Sequence, residues 1–207
     1  MKPIFIAAKR KNLHFDKKVL DKLNLGKNID LLYTIQYENL AKEVRKYYIK
    51  KGKKTTLKHV LGCLIVKSKN PLLIITDGKF HALNIAVNSN KEIFIFNGYN
   101  IEKITKVDLD KYNKIKKGKI LKFLSSDEIG IIVSTKLHQN RLKEALVLKA
   151  KIEKMKKKVY LFICDNVSIQ EIENFPLPVY INTACPGLDK DNYKILNYID
   201  ILPYIKK

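Results

Sequence analysis

Short apolar runs alternate with helical patterns along most of the chain. The runs at residues 30–35 and 71–76 lack the apolar–polar alternation of a strand with one solvent-facing side, which indicates strands buried on both faces. Between them, residues 36–51 repeat apolar positions such as Leu40 and Val44 at helical spacing. The alternation of strand and helix therefore predicts an α/β fold with parallel sheets and flanking helices.

The same patterns assign the remaining elements. Strands are predicted at residues 3–7, 30–35, 55–57, 71–76, 92–96, 101–107, 130–134, 159–164, 178–184 and 199–202. Helices are predicted at residues 15–25, 36–51, 79–86, 141–155 and 168–174, with a further helix beginning at Asp108 as its N-cap.

A lysine-rich, weakly periodic segment at residues 101–122 separates the two series of strands. We interpret its lysines as the solvated face of a helix, the usual role of a run of like charges. The domain boundary is placed in this region, which gives two similar small parallel-sheet domains at residues 1–115 and 116–207. The two halves show no clear sequence repeat.

Composition adds charge and redox context. Lysine and arginine number 41 against 20 acidic residues, a formal net charge of +21. Such a charge balance is typical of nucleic-acid-binding proteins. The excess here is mostly lysine spread along the whole chain, however, which does not favour nucleic-acid binding as the function. No apolar run is long enough for a membrane helix, and the amino-terminal apolar stretch is too short for a signal peptide. We expect a cytoplasmic protein without a membrane partner.

The three cysteines are ambiguous when they are considered from the residues alone. Cys63, Cys164 and Cys185 form no Cys-x-x-Cys pair, so neither a zinc ribbon nor a ferredoxin motif is present. Each is either a small buried hydrophobic residue or a metal ligand. Cys164 resembles the last apolar residue of its strand, whereas Cys63 and Cys185 lie in turns close to a glycine.

Polar loops follow several predicted strands, at residues 76–81, 134–139 and 165–166. Hydroxyl, amide and ammonium groups at the carboxyl ends of strands suit a carboxylate or another polar ligand. Helix capping is an equally good explanation for Thr135 and Asn140. Phosphate-binding glycine motifs and a serine–histidine–aspartate triad are both unsupported.

Four strings resemble the diphthamide synthase family in order and spacing. They are Leu61-Gly-Cys63, Asp77-Gly-Lys-Phe-His81, Ser134-Thr-Lys-x-x-Gln139 and Asn182-Thr-Ala-Cys-Pro186, and Gln36-Tyr37 fits the same pattern. The last of the four strings is the most specific. The resemblance extends from residue 3 to the end of the chain and corresponds to the family's second and third domains.

The resemblance implies an enzyme. Family members place three α/β domains around a central site, and each domain gives one cysteine to a [4Fe–4S] cluster. The cluster binds S-adenosylmethionine, and the 3-amino-3-carboxypropyl group is transferred by radical chemistry to a histidine of elongation factor 2. By this resemblance Cys63 and Cys185 are cluster ligands, and no catalytic residue is expected beyond the cluster. The residues expected to line the cavity near the methionine moiety are Lys79, His81, Thr135, Lys136 and Gln139.

The resemblance leaves the family's first domain and its cysteine without a counterpart here. A cluster with one open iron takes three protein thiolates. The third thiolate would come from a separate chain that carries the first domain. Cys164 is a less favoured source of this third thiolate. The alternative is a non-catalytic paralogue or accessory subunit that binds elongation factor 2 or the active synthase. The resemblance also implies an electron donor protein, and it is compatible with a dimer.

Overall fold

The computed structural model describes residues 6–11, 13–61, 66–87, 89, 91–189 and 192–205. The chain divides into two compact units, Met1–Asp110 and Lys111–Lys207. Each unit contains its own sheet with flanking helices. The predicted α/β fold with parallel sheets and flanking helices is confirmed. The assignment of the two units to the family's second and third domains remains a prediction.

The first unit is built on a five-stranded sheet of order β2-β1-β3-β4-β5. The first four strands in this order are parallel, and β5 runs antiparallel to β4. The strands are β1 (Asn28–Tyr33), β2 (Lys54–His59), β3 (Leu72–Ile75), β4 (Ile93–Phe96) and β5 (Ile101–Lys103). The helices are α1 (Lys17–Asp21), α2 (Glu38–Lys50) and α3 (Lys79–Ala86), and α4 (Lys106–Ser125) begins in this unit.

The central strands of this sheet are buried on both faces. All four residues of β3 are buried, and they alternate between two apolar clusters. Leu73 and Ile75 pack with Leu40 and Val44 of α2, whereas Ile74 packs on the opposite face, in the cluster that contains α3 residues. Helices on both faces of a parallel sheet require strands without a polar side, which is the pattern seen in the sequence.

The second unit contains a four-stranded parallel sheet of order β7-β6-β8-β9. Its strands are β6 (Glu128–Ser134), β7 (Lys158–Cys164), β8 (Val179–Asn182) and β9 (Ile195–Asn197). Its helices are the remainder of α4, α5 (Leu142–Glu153), α6 (Ile169–Glu173) and α7 (Tyr198–Ile201). The carboxyl ends of β6 and β8 therefore lie side by side, and β7 forms one edge.

A glycine in β6 accommodates the aromatic ring of the facing strand residue. Gly130 and Tyr180 are register partners on β6 and β8. A Cβ atom on Gly130 would lie only 2.4 Å from a ring carbon of Tyr180. The buried Tyr180 hydroxyl donates to the carbonyl oxygens of Ile172, at 3.0 Å, and Phe175, at 2.8 Å. This packing fixes α6 against the sheet that carries Cys185.

The strand predicted at the end of the chain was wrong, and the one predicted at its start is largely untested. Residues 199–202 are not a strand, because Tyr198–Ile201 forms α7 and a 3₁₀ helix follows at Leu202–Tyr204. The last strand is β9, which was missed because only three residues pair with β8. Most of the predicted strand at residues 3–7 lies outside the described residues, and Ile6 and Ala7 are exposed and not in a strand.

The predicted N-cap of α4 was also wrong by one turn. The helix begins at Lys106 rather than Asp108. The Thr105 hydroxyl oxygen accepts the Asp108 backbone N–H at 3.2 Å, and the Asp108 carboxylate accepts the Thr105 backbone N–H at 2.9 Å. Such reciprocal bonds form a capping box, in which the acidic side chain lies three residues after the cap.

Candidate functional site

Cys185 lies in a turn at the carboxyl end of β8. The strand ends at Asn182, and a 3₁₀ helix at Pro186–Asp189 follows directly after the cysteine. The Leu188 backbone N–H donates to the Cys185 carbonyl oxygen at 3.1 Å. The cysteine itself is exposed and not in a disulfide. An exposed thiol at this edge of a parallel sheet is available to a metal centre.

Buried polar side chains hold the segment that leads to this turn. Asn182 is only 1% exposed, and its side-chain oxygen accepts the Ala184 backbone N–H at 2.9 Å. Its amide nitrogen donates to the Cys185 carbonyl oxygen at 2.8 Å. The Thr183 hydroxyl, which is fully buried, donates to the Ile132 carbonyl oxygen of β6 at 2.8 Å. The Asn-Thr-Ala-Cys string is therefore tied to the sheet by its side chains.

Three predicted ligand-binding residues follow β6, the strand beside β8. Thr135 and Lys136 are exposed, and Gln139 is partly exposed. The Thr135 hydroxyl donates to the Asp165 carboxylate, so it does not cap α5. Asn140 is not the N-cap of α5 either, because Arg141 holds that position, but its side-chain oxygen accepts the Leu142 backbone N–H at 3.1 Å. The fold thus brings the loop after β6 and the Cys185 turn to one edge of the same sheet.

The other two predicted ligand-binding residues lie at the carboxyl edge of the first sheet. Lys79 and His81 are in α3, which begins directly after the turn that follows β3. The Lys79 ammonium lies 3.2 Å from the Asp108 carboxylate and 3.6 Å from that of Glu102. Its pKa is raised, chiefly by the hydrogen bond to Asp108. The partly buried His81 ring contacts Phe80, with ring centroids 5.1 Å apart.

Asp77, in the turn just before Lys79, is involved in a further cluster. The Arg10 guanidinium donates to the Asp77 carboxylate at 2.9 Å and to the Tyr37 hydroxyl at 2.6 Å. The backbone N–H of Arg10 also donates to the Gln36 carbonyl oxygen at 2.9 Å. Gln36-Tyr37 and Asp77, both part of the recognised strings, are thus connected through an arginine that the sequence did not single out.

Cys63, the other predicted cluster ligand, lies outside the described residues. Cys164, the less favoured substitute, ends β7 and is partly buried, and its sulfur lies 4.0 Å from the Val133 carbonyl oxygen. Burial raises the pKa of the Cys164 thiol, with further increases from Glu171 and Asp165. Cys164 ends β7, and Cys185 follows β8. Because β6 lies between these two strands, β7 and β8 are roughly 10 Å apart.

No group of three or more histidine, cysteine, aspartate or glutamate residues that could hold a metal ion occurs within the described part of the chain. The described residues therefore offer Cys185 as a single exposed thiol and do not complete a three-thiolate set. A raised pKa and partial burial make Cys164 a weaker candidate, because the thiolate is the form that binds metals. Within the same part of the chain, no helix has the length and apolar character needed to cross a membrane.

Asn197 is a site residue that the sequence did not reveal. It pairs with Asn182 in the register of β8 and β9, and the two side chains are hydrogen-bonded at 2.8 Å. Its amide nitrogen donates to the Pro186 carbonyl oxygen at 3.2 Å. No sequence motif marked this asparagine, because its role becomes apparent only when the position of β9 is known.

The fold and this edge define an α/β protein of two units, each with a mainly or wholly parallel sheet, and with an exposed thiol at the carboxyl edge of the second sheet. The chain belongs to the family described as putative diphthamide synthesis protein, whose model matches residues 1–197. The resemblance found in the sequence is thereby confirmed.

Two curated relatives are both named 2-(3-amino-3-carboxypropyl)histidine synthase. The protein from Pyrococcus horikoshii is 26% identical over 182 residues, which cover 82% of this chain and 53% of the relative. The protein from Methanocaldococcus jannaschii is 30% identical over 173 residues, which cover 81% of this chain and 47% of the relative. The chain thus spans about half the length of the curated relatives it matches.

Two solved structures of Dph2 from Pyrococcus horikoshii share the fold. One matches with a TM-score of 0.79 at 24% identity and covers 90% of this chain and 59% of that protein. The other, described as containing a 4Fe-4S cluster, matches with a TM-score of 0.81 at 24% identity and covers 91% of this chain and 60% of that protein.

Proposed function

We propose that this chain is the cluster-binding part of a 2-(3-amino-3-carboxypropyl)histidine synthase. It would transfer the 3-amino-3-carboxypropyl group from S-adenosylmethionine to a histidine of elongation factor 2, the first step of diphthamide formation. The observation that carries the proposal is the exposed Cys185 thiol in a turn fixed by buried side chains. Family membership and the names of the two curated relatives support it.

The available thiolates determine how a cluster would be held. Cysteine thiolates are the usual protein ligands of [4Fe–4S] clusters, and Cys185 fits that role because it is exposed at a sheet edge. We assign Cys63 as the second ligand on the basis of its Leu-Gly-Cys string. The third thiolate would come from outside these 207 residues, as from a separate chain carrying the family's first domain. When bound, such a cluster supplies the electron for reductive cleavage of S-adenosylmethionine, which an electron donor protein would replenish.

The residues that the family resemblance assigns to the methionine moiety carry groups suited to that role. The exposed Lys136 ammonium can pair with the substrate carboxylate, and Thr135 and Gln139 offer hydrogen-bonding groups on the same loop. Lys79 is oriented by Asp108, and His81 contributes an imidazole on the same helix. These groups would orient the cosubstrate, while bond cleavage depends on the cluster. The setting for this chemistry would be the cytoplasm.

Anaerobic reconstitution with iron and sulfide tests the proposal. The parent, Cys185→Ala and Cys164→Ala chains are each reconstituted alone and with a chain carrying the first domain, and bound iron is counted. We expect Cys185→Ala to lose most of the iron and Cys164→Ala to retain it, because Cys185 is assigned as a ligand and Cys164 is not. Equal iron uptake by the parent and Cys185→Ala under both conditions would exclude the cluster role of Cys185.

The second candidate is a non-catalytic accessory subunit that binds elongation factor 2 or the active synthase. The observation in its favour is the formal net charge of +21. The positive net charge would then favour an acidic partner surface, with binding that weakens as salt increases. Cleavage of S-adenosylmethionine by the reconstituted complex would exclude this alternative.

A further inference from the structure

The side chains of Asn182 and Asn197 form a pair beneath the Cys185 turn. The two residues are partners on adjacent strands, and the Asn182 amide nitrogen donates to the Asn197 side-chain oxygen at 2.8 Å. The same Asn182 nitrogen donates to the Cys185 carbonyl oxygen, and the Asn197 nitrogen donates to the Pro186 carbonyl oxygen. One amide pair therefore binds two consecutive carbonyl groups of the turn.

These bonds fix the backbone on both sides of Cys185. The Ala184 N–H, which precedes the cysteine, is bound to the Asn182 oxygen, and the Cys185 and Pro186 carbonyls, which follow it, are bound to the two amides. Pro186 has no backbone N–H, so the turn has one donor fewer with which to stabilise itself. Side-chain amides from the sheet replace that missing donor.

The far end of the turn is anchored separately. The 3₁₀ helix that begins at Pro186 ends at Asp189, whose carbonyl oxygen accepts a hydrogen bond from the Lys119 ammonium of α4. Lys119 is only 8% exposed. The segment from Ala184 to Asp189 is thus held by buried or partly buried side chains at both ends, while the thiol between them is exposed.

We infer that Asn197, acting through Asn182, is a positioning residue that holds the Cys185 thiol in place before iron binds. The inference rests on the proposed function, in which Cys185 is a cluster ligand. Asn197 bonds to the backbone of the turn rather than to the thiol, so its contribution is to the position of the ligand. Residues that orient metal ligands from a second layer commonly affect metal affinity 10–100-fold.

Amide hydrogen exchange in the chain without iron tests the positioning directly. The full-length parent is compared with Asn197→Ala, in which both side-chain bonds are lost, and with Asn197→Asp, in which the acceptor for Asn182 remains but the donor to Pro186 is lost. We expect the Ala184 and Leu188 amides to exchange about tenfold faster in Asn197→Ala, with a smaller increase in Asn197→Asp. The matched control is Asn174→Ala, an exposed asparagine at the end of α6.

The amides of β6 provide an internal reference for global stability. Faster exchange confined to the turn supports positioning. An equal increase in the turn and in β6 would show that Asn197 only stabilises the unit, and unchanged exchange in the turn would overturn the inference outright. If Asn197→Ala does not fold, Asn197→Asp gives the same comparison at the Pro186 side of the turn.

A chelator challenge connects the positioning to the metal. After anaerobic reconstitution, we expect Asn197→Ala to lose iron to a chelator about tenfold faster than the parent and Asn174→Ala. Iron loss at the parent rate would overturn the role of Asn197. Failure of the proposed function is a different result, in which Cys185→Ala retains full iron whatever the exchange data show.

Discussion

The Lys79 ammonium lies 3.2 Å from one carboxylate oxygen of Asp108, and the other oxygen of that carboxylate binds both the backbone N–H and the hydroxyl of Thr105. One acidic side chain therefore completes the capping box of α4 and orients a lysine that we assign to substrate binding. A change at Asp108 affects the start of the helix and the lysine together.

Acid unfolding should report on Asp108. Its pKa is lowered from an ordinary 3.8 to about 2, first by the Thr105 backbone hydrogen bond. Because the folded pKa lies below the unfolded pKa, the stabilisation is fully present above about 3.8 and is lost as the pH falls through about 2. Asp108→Asn should therefore show a shallower loss of unfolding free energy between pH 4 and 2, measured by urea titration.

The control for this measurement is Asp110→Asn. Asp110 is exposed on the same helix, and its substitution changes the net charge by the same amount. If the parent, Asp108→Asn and Asp110→Asn curves run parallel over this pH range, the capping carboxylate does not provide the predicted pH dependence.

Gly130→Ala should destabilise the second unit. The added methyl group would lie 2.4 and 2.7 Å from two ring carbons of Tyr180, inside a sheet that cannot easily shift. Overpacking of this kind costs about 1–3 kcal/mol, which denaturant unfolding measures. Gly118→Ala is the matched control, since its methyl group would meet nothing within 4 Å on the exposed side of α4. That change should stabilise by about 0.5–1 kcal/mol. Equal effects of both substitutions would contradict the packing described for Tyr180.

Tyr180→Phe should loosen α6. The hydroxyl is buried and donates to two carbonyl oxygens, and burial raises the pKa of Tyr180, which keeps the hydroxyl protonated. Loss of this donor should lower the unfolding free energy by about 0.5–1.5 kcal/mol, because its single proton is shared between the two carbonyls and each of them keeps a backbone N–H partner. Tyr160→Phe, on the exposed face of edge strand β7, should change it by less than about 0.5 kcal/mol. A similar loss of unfolding free energy in both variants would show that the Tyr180 hydroxyl bonds stabilise the unit no more than an exposed tyrosine hydroxyl does.

The pattern of apolar residues was sufficient for the long buried elements. Strands β3 and β6 and helix α2 were predicted near their observed bounds, because burial leaves continuous apolar runs in the two strands and helical spacing of apolar residues in α2. Strand β9 was missed because three residues carry too little periodicity. The segment at residues 199–202 was mistaken for a strand because Ile199 and Ile201 alternate with polar Asp200, although Ile199 is 54% exposed in a helix.

The candidate site was only partly predictable, because some of its residues leave no local signal in the sequence. Cys185 could be selected because its string is specific, and the positions of Thr135 and Lys136 follow from their place after β6. Asn197 could not be selected, since its role depends on the register of β9 beside β8. Likewise, the pairing of Arg10 with Asp77 joins residues far apart in sequence and leaves no local pattern.

Transfer of label from S-adenosylmethionine to elongation factor 2 tests the proposed function most directly. The chain is reconstituted anaerobically with a chain carrying the first domain, reduced, and given cosubstrate labelled in the 3-amino-3-carboxypropyl group. The predicted result is label on a histidine of elongation factor 2 with the parent and with Cys164→Ala, and none with Cys185→Ala. Absence of label with a parent complex that contains a full cluster, or label with Cys185→Ala, would contradict the proposed function.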